Sequence, residues 1–228
     1  MKYIDGGLYQ GHYKNTVRHG FGKFIYPDGD VYEGNWKAHA KHGSGKLTFA
    51  NGDIYVGNMS DDMKSGQGKY TFASGAVYAG GWKANVGHGY ATFTSADGRV
   101  NFEGDFVNDN PHGYGKLTWS NGLYEGHFKD GLWHGKGKMI FADGGSYAGG
   151  WREGKKDGRG KYTFPTGGRV HEGEWKAGVL QGGGHATALP ALCSNPSTRA
   201  PSPSNSTCTR TMLVECDNPL QSLPQTST

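Results

Sequence analysis

A 23-residue period runs through this chain from about Leu8 to Gly184. One unit reads Tyr32-Glu33-Gly34-Asn35-Trp36, then Gly43-Ser44-Gly45-Lys46, then Phe49-Ala50-Asn51-Gly52. Units open at Tyr9, Tyr32, Tyr55, Tyr78, Phe102, Tyr124, Tyr147 and His171, in steps of 23, 23, 23, 24, 22, 23 and 24 residues. A fixed period of this length means an array, in which each unit buries its apolar face only against its neighbours. Stacked units present long repetitive surfaces, which suit binding better than the single asymmetric pocket that catalysis needs.

Within a unit the residues alternate. Tyr32, Gly34 and Trp36 point one way and Glu33, Asn35 and Lys37 the other; Gly43, Gly45, Leu47 and Phe49 share a face, with Lys46 and Thr48 on its reverse. Period-2 alternation predicts half-buried strands, two per unit. The segment from Trp36 to Gly43 is expected to be a hairpin loop. Asn51-Gly52, with its counterparts Asp28-Gly29, Asp97-Gly98, Asn121-Gly122 and Asp143-Gly144, is expected to be a tighter turn. The fold class is therefore all-β, an elongated antiparallel meander. Gly in mid-strand costs order and packing. Here Gly34, Gly43 and Gly45 leave room for large rings to lie flat on the backbone and for the ribbon to curve tightly around an aromatic face. The fourth unit keeps register when His88-Gly89-Tyr90-Ala91 is taken as its motif, with Ala91 in place of the second glycine.

The pattern Tyr-x-Gly-x-Trp, six residues, Gly-x-Gly, about six residues, Gly resembles the MORN repeat (membrane occupation and recognition nexus). Tyr32–Ile54, Tyr124–Ser146 and Tyr147–Val170 match it best. Met59 departs from it at the second aromatic, Phe102 and His171 at the first, and Ala91 at a glycine. The resemblance covers residues 8 to 184 and implies an antiparallel ribbon without catalysis. Such repeats occur in ciliary and cytoskeletal scaffolds and membrane-junction proteins, and as accessory modules of lipid kinases and SET-domain methyltransferases. Phosphoinositide binding and the docking of partner helices in a groove are both attributed to the family.

Composition divides the chain at residue 185. All 41 glycines lie at or before Gly184, while Cys193, Cys208 and Cys216 all follow it. Residues 1–185 are read as the array, with its first and last units incomplete. Residues 186–228, rich in Ser, Thr and Pro and lacking aromatics, are expected to be disordered. The array begins in mid-unit, since Lys2–Leu8 aligns with Thr48–Ile54, so the chain is expected to be a piece of a longer protein. Net charge is +4, too mild and dispersed for a nucleic-acid binder. The sequence contains no run of apolar residues long enough for a membrane helix, and no secretory leader is expected. Its repeats contain no cysteine, in keeping with a cytosolic setting.

Four sets of residues could carry chemistry. The glycines match neither a phosphate-binding loop nor a dinucleotide fingerprint, because Gly-x-Gly here opens a strand. His19, His42, His88, His112 and His134 precede Gly-x-Gly in five units. Equivalent positions lie two strands apart, ~9.5 Å at the ordinary strand spacing, which is too far for rungs to share one ion. These histidines are expected to cap the turn by hydrogen bonds, and neither metal nor cofactor is expected. Lys23, Lys46, Lys69, Lys116, Lys138 and Lys161 form a ladder on the polar face. A basic ladder could attract anionic phospholipid headgroups. Pairing with Glu33, Glu103, Glu125 and Glu172 is the favoured role, because mixed charge weakens the field. Tyr32, Trp36, Tyr55, Tyr78, Trp82, Phe102, Phe106, Tyr124, Phe128, Tyr147 and Trp151 form the aromatic face. A single-layer ribbon has no second layer to cover them, so a partner helix or extended segment is expected to dock in this groove.

The reading is a non-catalytic cytoplasmic scaffold, ciliary, cytoskeletal or at the membrane periphery. It binds a protein partner through the aromatic groove, with anionic membrane as a second partner and self-association into a homo-oligomer as a third. The alternative is the regulatory part of a larger enzyme, such as a phosphatidylinositol phosphate kinase or a SET-domain methyltransferase.

Overall fold

The computed structural model describes residues 6–166, 168–182, 185–188 and 219–222. The strands are β1 (Leu8–Lys14), β2 (Val17–Ile25), β3 (Val31–Lys37), β4 (Ala40–Thr48), β5 (Ile54–Ser60), β6 (Met63–Thr71), β7 (Val77–Lys83), β8 (Val86–Thr94) and β9 (Asn101–Val107). They continue with β10 (Asn110–Trp119), β11 (Gly122–Lys129), β12 (Leu132–Phe141), β13 (Ser146–Arg152), β14 (Lys155–Thr163), β15 (Arg169–Lys176), β16 (Val179–Leu180) and β17 (His185–Ala188). From β1 to β15 each strand pairs antiparallel with the next, giving one meander in the expected fold class. β16 and β17 share the last edge of β15. Among the described residues β1 pairs with β2 alone, so the sheet is open.

The alternation is visible as burial: along β3, Tyr32, Gly34 and Trp36 are buried and Glu33, Asn35 and Lys37 exposed. The turns reverse the expected order of tightness. Successive strands of one unit join through two residues, both at positive φ, as at Ala38 (48°) and His39 (72°) or Asp61 (50°) and Asp62 (67°). Positive φ at both centres suits the twist of a two-residue hairpin. The Asn51-Gly52 turn is the wider one, a loop between Thr48 and Ile54 closed by Phe49 N–H to Asp53 O at 2.9 Å. The tight turns escape sequence reading because Ala38-His39 and Ala84-Asn85 lack the usual Asn-Gly chemistry.

Each of the first seven units carries one bulge, at the Gly-x-Gly motif or its equivalent. Gly34 faces Gly45 and Trp36 faces Lys41, so four steps on β4 oppose two on β3. Gly43 absorbs the excess at φ 65°, in the left-handed region glycine tolerates. The fourth unit follows the same register, with Ala91 between Gly80 and Gly104.

The bulge leaves backbone groups that the next unit satisfies. The second turn residue donates its N–H back to the preceding unit: Asp62 to Lys41 O at 3.1 Å, Asn85 to Lys64 O at 3.1 Å, Asp109 to Gly87 O at 3.0 Å. The same side chains accept in return, from Lys41 N at 2.9 Å, Lys64 N at 2.8 Å and Gly87 N at 2.7 Å. This reciprocal clasp, more than strand pairing, ties one hairpin tip to the next.

Two short elements are described around and beyond the boundary expected at residue 185. β17 pairs with β15, and Pro219–Ser222 forms a 3-10 turn whose Leu220 is 4% exposed. The remainder of the expected disordered tail lies outside the described residues.

Candidate functional site

The ring face is built from glycine outward. The Tyr32 ring lies flat on Gly45, where an added Cβ would come within 2.4–2.6 Å of its outer ring atoms. Tyr32 Oη then donates to Asn35 O at 3.0 Å, pinning the ring. Tyr9, Tyr55, Tyr124 and Tyr147 repeat the arrangement over Gly22, Gly68, Gly137 and Gly160. The second aromatic of the motif stands edge-on to two opening rings: Trp36 to Tyr32 (5.1 Å) and Tyr9 (5.5 Å), Trp151 to Tyr147 (5.1 Å) and Tyr124 (5.5 Å). Its indole N–H donates to a glycine carbonyl of the preceding unit, Trp36 to Gly22 O at 3.0 Å and Trp82 to Gly68 O at 3.1 Å.

This packing corrects one premise. Tyr32, Trp36, Tyr55, Tyr78, Trp82, Phe102, Phe106, Tyr124, Phe128, Tyr147 and Trp151 are brought onto one face, yet none is more than 5% exposed. They are the core. Each ring is covered by the rings of adjacent units and by a further row that the sequence analysis did not single out. Arg18, Lys41, Lys64 and Lys156 occupy one position per unit and reach over the rings. Arg18 Cζ lies 4.4 Å from the Trp36 centroid and Lys41 Nζ 5.5 Å from that of Tyr26. Lys64 Nζ is 4.8 Å from Tyr70 and 5.0 Å from Trp82, and Lys156 Nζ 4.6 Å from Tyr162. These are cation–π distances, with the apolar stems shielding ring surface. Gly87, Pro111 and Trp133 hold the position in the other units. A signal existed: Lys41 and Lys64 repeat at the 23-residue period. Strict alternation from Gly45 and Leu47 already places Lys41 on the ring face; its charge is what reads as solvent-exposed.

Burial depresses the ammonium pKa values on this face. Lys64, 2% exposed, is lowered to about 8 by desolvation, and Lys41 is lowered for the same reason. Desolvation raises the phenols: Tyr26 and Tyr147 reach about 12, and Tyr32, Tyr55, Tyr78 and Tyr124 are pushed higher still. A half-buried rim, Tyr26, Phe49, Phe141 and Phe164, borders the lids. Trp119 and Trp133 lie 5.8 Å apart on this face. Their buried indole N–H groups have no acceptor among the described residues.

The lysine ladder is on the reverse face as expected, with Lys23, Lys46, Lys69, Lys116, Lys138 and Lys161 all exposed. Glutamates interrupt it: Glu33 lies between Lys23 and Lys46, and Glu125 between Lys116 and Lys138. Lys23 Nζ is 3.8 Å from Glu33. Lys69 alone of the six faces apolar neighbours on both sides, Val56 and Ala79. Three exposed rings share this face, Phe21 (53%), Tyr90 (58%) and Tyr114 (53%). Tyr90 donates to Glu103 and Tyr114 to Glu125, and each carboxylate raises its phenol's pKa by binding the neutral form.

His42, His88 and His112 do not cap the turn through Nδ1 as expected. The shielded Nδ1 atoms of His42, His88 and His112 make no hydrogen bond among the described residues. Those of His42 and His112 lie 3.9 and 3.7 Å from Asp61 and Asp130. At these turns the clasp through Asp62, Asn85 and Asp109 binds the backbone N–H groups of Lys41, Lys64 and Gly87 instead.

Fold and faces together define an open, stacked β-repeat array whose core is a single row of glycine-seated rings. The MORN repeat model matches residues 9–31, 32–54, 55–77, 78–98, 102–123, 124–146, 147–169 and 171–185, so the chain belongs to the MORN-repeat family. No curated protein matches it. Among solved structures it is similar to the Drosophila melanogaster SAS-4 (dCPAP) TCP domain in complex with a proline-rich motif of Ana2 (dSTIL). The two are 15% identical with a TM-score of 0.40, over 69% of this chain and 85% of that one. It is also similar to the TCP10 domain of Danio rerio CPAP in complex with a STIL peptide, at 16% identity and a TM-score of 0.34, over 68% of this chain and 74% of that one. At such scores neither likeness carries a functional argument. Among the described residues no helix is long and apolar enough to cross a membrane.

Proposed function

We propose that this chain is a non-catalytic scaffold that holds a segment of a partner protein along its ring face, in a ciliary or cytoskeletal assembly. One observation carries the reading: within the array, the core of an open single-layer sheet is covered by single side chains in place of a second layer of secondary structure. Arg18, Lys41, Lys64 and Lys156 lie over the rings where a globular domain would place a second layer. An amphipathic helix or extended segment that displaces or overlies these lids gains ring contact and ion pairing together. The eleven rings set the shape of this face, and the lids and the half-buried rim make the contact.

Lipid binding through the lysine ladder is the second reading. Lys69, between Val56 and Ala79, favours it locally; the interleaved glutamates oppose it along the rest of the row.

The test is a partner recovered by proximity labelling and titrated against purified variants. Phe49→Ser with Lys64→Glu is expected to weaken binding at least 10-fold, and Tyr90→Ser with Tyr114→Ser to leave it unchanged. The opposite pattern would move the docking surface to the reverse face. Sedimentation with acidic liposomes at two salt concentrations, using wild type and Lys46→Glu with Lys69→Glu, decides the lipid reading. Surface attraction must weaken with salt, since screening acts over ~8 Å at physiological strength.

A further inference from the structure

We propose that the chain carries its own occupant for the ring face, the segment Pro219–Ser222, and that a partner must displace it. This rests on the reading of that face as the docking surface. Leu220 is 4% exposed and belongs to the same apolar cluster as the tyrosine and tryptophan rows. It comes from outside the array: the last described strand ends at Ala188, and residues 189–218 separate the two. An intervening chain of that length spans up to roughly 100 Å when extended, so its reach does not restrict where Leu220 docks.

The local sequence suits the role. Glu215 and Asp217 are the only acidic residues after 188, and they directly precede Asn218-Pro219-Leu220. The ring face bears the opposite charge in Arg18, Lys41, Lys64 and Lys156. Pro219 restricts the backbone before docking and so reduces the entropy lost on binding. The geometry therefore assigns the partner a chemistry as well: an acidic segment that presents a leucine beside a proline. Tethering gives the resident segment an effective concentration on the order of millimolar, so it competes without high intrinsic affinity.

The test uses the full chain and a fluorescent peptide of residues 213–224 with serine at Cys216. Leu220→Asp should release the resident segment and bind the peptide at least 10-fold more tightly than wild type. Adding Lys64→Glu to that variant should abolish the gain, whereas adding Tyr90→Ser with Tyr114→Ser should not. Circular dichroism melting of each variant verifies the fold. Equal peptide binding by wild type and Leu220→Asp, or binding by neither, overturns the resident-occupant proposal. Loss of partner binding in Phe49→Ser with Lys64→Glu would still stand alone as evidence for the docking face. A gain abolished by the tyrosine changes instead would place the segment on the reverse face and remove both readings.

Discussion

At the scale of a residue, the array turns on one contact, a ring lying on a glycine. Gly45 is required because a Cβ there would meet Tyr32 Oη at 2.4 Å, and the ring is held by its bond to Asn35 O. Gly45→Ala is therefore expected to destabilise the chain by about 1–3 kcal/mol, the usual cost of overpacking a filled site. Chemical denaturation measures this directly. Tyr32→Phe should cost less, about 0.5–1.5 kcal/mol for a neutral hydrogen bond, since Phe102 already lies over Gly115 without a hydroxyl. Lys64 makes the complementary point. Its charge is enclosed by rings and rarely reads as core from sequence, yet it shares the inward face of β6 with Gly68 and Tyr70, and the bulge at Gly66 sets it opposite Met59.

At the scale of an element, the strands and their period were legible and the turns were not. Alternation in Tyr32–Lys37 reports burial directly, because side chains on a strand take opposite faces. The tight turns depend on φ, which Ala38, Ala84 and Ala177 do not advertise. Ala84 sits at φ 47° and Ala177 at φ 49°. A left-handed alanine costs roughly 1–2 kcal/mol, and asparagine tolerates that region better. Ala84→Asn and Ala177→Asn should each raise stability by about 0.5–1 kcal/mol, and the double variant by their sum, because the sites are far apart. Melting temperatures that fall, or an increment from one site only, would contradict the turn assignment.

At the scale of the whole molecule, the buried titratable groups set a pH profile. The folded-state pKa of Lys64 lies near 8, below its unfolded value of 10.5, so the unfolded chain holds more protons between these values and stability rises with pH across that window. The tyrosines act in the other direction. Their folded pKa values are raised above 10.0, so their contribution is complete below pH 10 and is lost as pH climbs toward 12 and beyond. Urea midpoints should therefore increase from pH 7.5 to about 10 and then fall steeply. Lys64→Met should flatten the rise and leave the fall unchanged. A midpoint that declines steadily from pH 7.5 would mean Lys64 is solvated in the folded chain.

The sequence alone determined the period, the family, the antiparallel meander and the division into a ring face and a charged face. All of these follow from the two-residue alternation of a strand and the 23-residue repeat, which are local properties of the chain. The tertiary structure decided what covers the rings. Between Gly34 and Trp36 the bulge shifts register by two residues, which brings Lys41 over the ring of Tyr32 and closes a face expected to be open. It also decided that Leu220 joins the core, a contact between residues far apart in sequence that no periodicity encodes. Which side chain shields which ring depends on how consecutive hairpins stack, and that stacking exists only once the units have folded against one another.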